Sequence, residues 1–284
     1  MKNLTTLASM SMGLVACFWL QSCAQSPEVA TQSTDQLQGK LVLTGSSTVA
    51  PLASEIGKGF ESENPGVRVD VQTGGSSRGI ADARQGVADI GMVSRDLKQT
   101  EKDLQGFAIA RDGIGIIVHK TNPVQSLSNQ QIVDIYQGKI DNWQDVGGKK
   151  APITVVNKAE GRSTLELFLK YFQLKNSEIK ADVVIGDNEQ GIKTVAGNPN
   201  GIGYVSIGTA EYSSKQNVPI KLLPVAGIAA TTENVQNGTF PLSRSLTLVT
   251  KTIPIGLDKA FIEFSRSQKV QDIVKEQNFV PLSE

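Results

Sequence analysis

In the run VRVDVQTGGSSRGI, Val67 to Ile80, apolar and polar residues alternate at the start and then give way to two glycines, two serines and an arginine. Alternation is the period of a half-buried strand, and the apolar spacing that follows is helical. A helix needs only one small polar residue as its cap, so the second hydroxyl beside a glycine pair calls for another role. The same order stands just upstream. KLVLTG is a short apolar strand, Ser46-Ser47-Thr48 a turn, and Val49, Leu52, Ile56 and Phe60 recur at helical steps up to the breaker Asn64-Pro65-Gly66. Downstream, Ile80, Ala83 and Val87 predict the inner face of the second helix, followed by the strand-like ADIGMVS and then Ser94-Arg95. Strand, small-residue turn, helix, occurring twice in succession, is the α/β unit, and its turns lie at the carboxyl ends of strands, where open sheets bind ligands.

Two further β-rich runs, GIGIIVHK at 113–120 and SLTLVTK at 245–251, both end in lysine and are predicted to lie side by side. That pairing divides the chain into one lobe of residues 39–120 plus 243–284 and an inserted lobe of residues 121–242. The inserted lobe carries a Ser128-capped helix through Ile132, Ile135 and Tyr136, the strands ITVVN, DVVIG and GIGYVS, and helices after EGRST and through GIKTVAG. Leu257, Phe261, Phe264, Val270, Ile273 and Val274 give the C-terminal stretch a helical face. Trp143 and Tyr136 read as core.

The N-terminus is outside this pattern. Its apolar run, Leu7 to Leu20, is 14 residues long, short for a bilayer span and suited to a signal peptide, here residues 1–22. The run closes on Ser22-Cys23, which resembles the lipobox of bacterial lipoproteins and makes Cys23 the expected lipidation site, with Gln21 an unusual residue for that box. Residues 23–38 form a polar tether. The other cysteine, Cys17, falls in the leader, so neither a disulfide nor a cysteine metal site is expected. The chain has 28 basic and 28 acidic residues, and loss of the leader removes only Lys2. Such a balance argues against nucleic acid as the partner.

The chemistry concentrates in three turns of one design: Gly45-Ser46-Ser47-Thr48, Gly74-Gly75-Ser76-Ser77 and Gly161-Arg162-Ser163-Thr164. Helix N-termini present unpaired amides and about half a positive charge, so three of them converging would hold a compact anion. Arg95 and Arg162, and behind them Arg78, are the candidates for bidentate pairing with an oxyanion.

TGSSTVAP, TGGSSRGI, ADIGMVSRDL, GIGYVS and TFPLSRSLTLV, in this order and spacing, resemble the phosphate-binding proteins of bacterial high-affinity phosphate ABC transporters. The resemblance covers nearly all of the mature chain. It implies the type II periplasmic-binding-protein fold: two α/β lobes joined by two hinge strands, with the ligand cleft between them. It also implies phosphate as ligand, delivery to permease subunits, and an extracytoplasmic location at the membrane. Carried over by residue, Ser47, Thr48, Ser76 and Ser94 would donate from the first lobe, with Arg95 compensating charge, and Arg162, Ser163 and Thr164 from the second; Ser46, Ser77, Arg78 and Lys158 stand behind them. The chain departs from the family's Arg-x-x-x-Ser-Gly-Thr pattern, with Lys158 for the arginine, Arg162 for the serine and Ser163 for the glycine. Ser94 stands where some members have an aspartate that accepts the phosphate proton, which leaves a hydroxyl, a backbone carbonyl or Glu160 as acceptor. Sulfate, molybdate and tungstate are therefore the alternative ligands.

A phosphate-ester hydrolase is the rival class. Its support is thin: His119 is the only histidine and reads as structural, no nucleophile elbow or Walker loop occurs, and Asp82, Asp89, Asp96 and Glu160 are scattered. No catalytic residue, cofactor or metal is expected, and a monomer is the expected state.

Overall fold

The computed structural model describes residues 37–282. The leader, Cys17, Cys23 and the tether up to residue 36 lie outside the described residues. Strand β1 (Gln38–Gly45) leads to helix α1 (Ala50–Glu63), then β2 (Gly66–Thr73), α2 (Ser76–Gln85), β3 (Ile90–Val93) and the long β4 (Gln105–His119). Next come α3 (Asn129–Tyr136), β5 (Thr154–Lys158), α4 (Ser163–Phe172), β6 (Val183–Ile185), α5 (Asn188–Ala196), β7 (Gly201–Ser206), α6 (Ile207–Lys215), β8 (Ile220–Leu223) and α7 (Thr232–Gln236). The chain finishes with β9 (Ser243–Thr250), α8 (Gly256–Ser265) and α9 (Gln271–Glu276). The fold begins one residue before Gly39, because Gln38 already pairs with Gly66.

The strands follow the order β2-β1-β3-β9-β4-β7-β5-β6, with β8 also on β4. Parallel pairs β1–β2, β1–β3, β5–β6 and β5–β7 come from the strand–helix units, and the antiparallel pairs all involve β4 or β9. β4 changes partners along its length: Gln105–Gly113 pairs with β9, and Ile114–Val118 pairs with β7. The predicted pairing of GIGIIVHK with SLTLVTK is thus displaced. Ser245–Thr250 lies against Gln105–Arg111, and the GIGIIVHK run lies mostly against β7 and β8. A strand buried on both faces reads as a continuous apolar run, which shows where it is buried but not which neighbour it takes.

Separate cores form on either side of this switch. Leu41, Leu43, Leu52, Ile56, Met92 and Phe261 anchor one; Ile114, Tyr136, Trp143, Phe168 and Tyr204 anchor another. Phe168 and Tyr204 stack with centroids 4.0 Å apart, and each large apolar side chain buried contributes about 1.5–3 kcal/mol. The expected α1 face, Leu52, Ile56 and Phe60, is buried, and Ser128 caps α3 through a capping box. Val87 departs from expectation: α2 ends at the left-handed cap Gly86, and Val87 is 62% exposed beyond it. His119 is a structural residue, its Nδ1 2.8 Å from Thr121 Oγ1.

Candidate functional site

The first and third small-residue turns meet at one buried guanidinium, and the second reaches it through Ser94. β1 ends at the first turn and β2 at the second, and their parallel pairing sets those two helix starts side by side; the third turn, which follows β5 elsewhere in the sheet, meets the second through the Ser77 amide and the Gly161 carbonyl. Across them lies Arg244, near the start of β9, directly opposite Asp112 in the β4–β9 ladder. Arg244 Nε and Nη2 donate to Asp112 Oδ2 at 3.1 and 2.8 Å. Its remaining donors go to hydroxyls: Nη2 to Thr48 Oγ1 at 3.1 Å, Nη1 to Thr164 Oγ1 at 2.9 Å and to Ser94 Oγ at 3.3 Å. Ser76 Oγ accepts from the Ser94 amide at 3.3 Å.

Arginine only donates, so each of these hydroxyls must accept from it and keeps its own proton for another acceptor. Thr48 Oγ1 also accepts from Asn188 Nδ2 at 3.0 Å, and Asn188 Oδ1 in turn accepts from Lys158 Nζ at 2.9 Å. Ser163 Oγ and Arg162 Nε are buried with no hydrogen-bond partner. None of the helix N-caps Val49, Gly75 and Arg162 bonds its own helix through a side chain, which leaves the first amides of α1, α2 and α4 without a side chain on their own N-cap. The arrangement is a set of convergent donors around an anion-sized centre, with Thr48, Ser76, Ser94, Asp112, Lys158, Ser163, Thr164, Asn188 and Arg244 all buried.

The charge in this cluster is positive. Asp112 neutralises Arg244 and also accepts from the Gly208 amide, so it orients the guanidinium. Lys158 and Arg162 remain, countered by Asp187. Burial pushes the Lys158 ammonium down from 10.5 to about 7, helped by Arg244, opposed by Asp187, and helped again by Arg162. Burial likewise lowers Arg162, against the pull of Asp187.

The second glycine of the pair is required by the packing of its turn. Gly75 has φ +92°, and a Cβ there would lie 2.7 Å from Arg162 Cδ and 2.8 Å from the Gly161 carbonyl oxygen. The two turns touch, and the Ser77 amide donates to that carbonyl at 3.1 Å.

Arg95 is placed elsewhere. Its Nη1 and Nη2 donate to Glu101 at 2.8 and 2.9 Å, and its Nε is 3.1 Å from Glu166 Oε2, an ion pair outside hydrogen-bond geometry. Burial works against the charged form, but Glu101 and Glu166 outweigh it and hold the Arg95 pKa above its ordinary value. β3 ends at Val93, and in the bend that follows Ser94 is turned to the cluster while Arg95 is held by the two carboxylates. Arg78 is a surface charge paired with Asp82 at 3.0 Å, and Glu160 is exposed and bonded to Asn176. Ser46 Oγ accepts from the Thr48 and Val49 amides at 3.2 and 3.4 Å, a local turn bond. Ser47 is half-buried and lines a cavity of about 310 Å³ with Asp187 and Asn188, while Ser77 is exposed and contributes its backbone. Two cavities of about 860 and 820 Å³ lie against the C-terminal segment instead. Both are far larger than a tetrahedral oxyanion requires.

Sequence reading missed Arg244, Asp112 and Asn188. Asn188 had a local signal, since DVVIG-Asp187-Asn188 is a fourth strand–turn–helix with Asp187 as N-cap. Among the described residues, no group of three or more metal-ligating side chains occurs, and no helix is long and apolar enough to cross a membrane.

Residues 30–269 match the PBP superfamily domain. The chain belongs to the PBP superfamily. Its curled α/β sheet is the type II arrangement of that superfamily. It is 27% identical over 283 residues to the phosphate-binding protein PstS of Bacillus subtilis (strain 168), covering 98% of this chain and 92% of that protein. Among solved structures, a Clostridium perfringens protein described as a phosphate ABC transporter substrate-binding protein, with bound phosphate, is 36% identical with a TM-score of 0.80, covering 86% of this chain and all of that one. An ABC-type phosphate transport receptor from Vibrio cholerae is 29% identical with a TM-score of 0.68 over the same share.

Proposed function

We propose that this PBP-superfamily chain is an extracytoplasmic solute-binding protein that captures inorganic phosphate, without changing it chemically, and delivers it to the permease of an ABC transporter. The observation that carries this reading is the set of buried hydroxyls on Thr48, Ser94 and Thr164, each accepting from Arg244 and each left with a proton to give. Relatives named as phosphate-binding proteins and a phosphate-bound neighbour support the choice of ligand. Ser76, Ser163, the first amides of α4, Lys158 and Arg162 complete the donor set.

Two lobes act on the anion, with the boundary expected after residue 120 moved back to Gly113–Ile114, where β4 exchanges β9 for β7, so that residues 114–242 form the inserted lobe and the chain returns at Leu242–Ser243. An anion held by Thr48, Ser76 and Ser94 on one side and by Ser163 and Thr164 on the other stabilises the closed form through contacts the open form lacks. Cys23 carries the lipid anchor, and the chain works as a monomer. Sulfate or molybdate remains the second ligand, because Asp112, the carboxylate within the donor cluster, is engaged by Arg244 and Gly208 rather than free to repel a fully ionised oxyanion.

Calorimetric titration with phosphate, sulfate and molybdate, each alone and in competition, tests the reading. Tight phosphate binding that excess sulfate fails to displace is expected; absence of phosphate binding overturns it. Turnover of phosphate esters, lost in Ser76→Ala, establishes the hydrolase instead.

A further inference from the structure

Lys158 ends β5 and is 3% exposed, and its Nζ donates to one protein acceptor, Asn188 Oδ1. An ammonium has three protons to place, so a protonated Lys158 has donors beyond that single bond. The charged groups that face it come from three elements: Arg244 on β9, Arg162 before α4 and Asp187 before α5. Two of the three are cations. Asp112 is engaged by Arg244 Nε and Nη2 and by the Gly208 amide, and it screens the arginine rather than the lysine. Asn188 joins Lys158 to Thr48, and Thr48 to Arg244, so the amine belongs to the same hydrogen-bonded cluster as the donors of the first turn.

We propose that Lys158 contacts the captured anion directly, and that capture of a fully ionised oxyanion above neutral pH is accompanied by uptake of one proton on its Nζ. This rests on the oxyanion-binding reading and deepens it. Without an anion, the buried amine faces two guanidiniums and one carboxylate, which favours the neutral form, and its pKa of about 7 agrees. A dianion among the same groups reverses the local field and favours the ammonium. The proton comes from solvent and adds to the Nζ lone pair, with no other bond made or broken. The positive charge that Lys158 lacks before capture is supplied by capture itself.

The test is calorimetry of the purified protein with inorganic phosphate at pH 8.5, where phosphate is almost wholly the dianion, in buffers of widely different ionisation enthalpy, repeated with sulfate. The dependence of the observed heat on the buffer gives the number of protons exchanged. Uptake close to one proton per phosphate is expected at pH 8.5, and in any sulfate titration that shows binding, the uptake should fall to about half at pH 7. Lys158→Met loses tenfold or more in affinity. Lys158→Arg carries its charge beforehand, and whatever affinity it retains comes without uptake. Phosphate binding by the unaltered protein at pH 8.5 with no proton uptake overturns the proposal while leaving the phosphate reading intact. Binding of neither anion overturns both.

Discussion

Asp112 and Arg244 are direct partners in the β4–β9 ladder, 132 residues apart in the chain, with Arg244 Nη2 2.8 Å from Asp112 Oδ2 and both side chains almost fully buried. Two antiparallel strands with the correct register therefore suffice to aim a guanidinium at the turns of the opposing elements. Burying that charge is costly, and the carboxylate makes it tolerable.

Breaking this pair should be felt twice. Asp112→Asn is expected to destabilise the fold by about 3 kcal/mol, because it leaves an uncompensated buried cation. Arg244→Lys should lose the simultaneous reach to Thr48, Ser94 and Thr164, since a point charge does not present a planar fork of donors. Urea denaturation reads the first effect and phosphate titration the second.

Removing a hydroxyl tests the donor set with little change in shape. Thr48→Val and Thr164→Val should each weaken phosphate binding by about 1.5–3 kcal/mol, the worth of a hydrogen bond to a charged acceptor, or roughly 10- to 150-fold. Ser46→Ala, which removes only the local turn bond, should change affinity much less. Equal losses in all three variants would mean that the turns act through folding alone.

Glu166 lies on α4, and its carboxylate meets Arg95 at 3.1 Å and Lys98 at 2.7 Å, ion pairs that join α4 to the segment after β3. On the proposed two-lobe reading, opening of the cleft would break this contact. Glu166→Gln is expected to weaken phosphate binding by a few-fold, with no loss of the donors themselves, because Glu166 is partly exposed and such pairs are worth about 1 kcal/mol or less. Small-angle scattering of the unliganded variant should show a more open average shape. Arg78→Ala, at an exposed pair with Asp82, serves as the silent control.

Lys158 makes stability depend on pH in a fixed direction. Its pKa is lowered from 10.5 to about 7 by burial, then by Arg244, with Asp187 opposing and Arg162 adding. Between these two values the unfolded chain holds a proton that the folded protein does not, so stability without ligand should rise as pH rises from about 7 toward 10. Below about 7 both states are protonated and the full cost of burying the charge is present. Denaturation of the unliganded protein across pH 6–10 should show a rise of roughly 1 kcal/mol per pH unit in that window, absent in Lys158→Met.

The α/β units, the helix faces and the three small-residue turns were legible in the sequence because each is written in neighbouring residues: alternation, helical spacing, and glycine or hydroxyls where a helix begins. Thr48, Ser76, Ser163 and Thr164 could be named on those grounds, and Ser94 on the family resemblance alone; all lie in or beside one cluster. Arg95 looked equally apt because it adjoins Ser94, yet it is buried against Glu101 and Glu166. What only the tertiary structure decided is the register between β4 and β9, which brings Asp112 to Arg244, and the packing that places Asn188 and Lys158 behind Thr48. Local sequence sets which backbone groups are left unpaired; which distant side chain meets them depends on strand pairing across more than a hundred residues, and no short pattern encodes that.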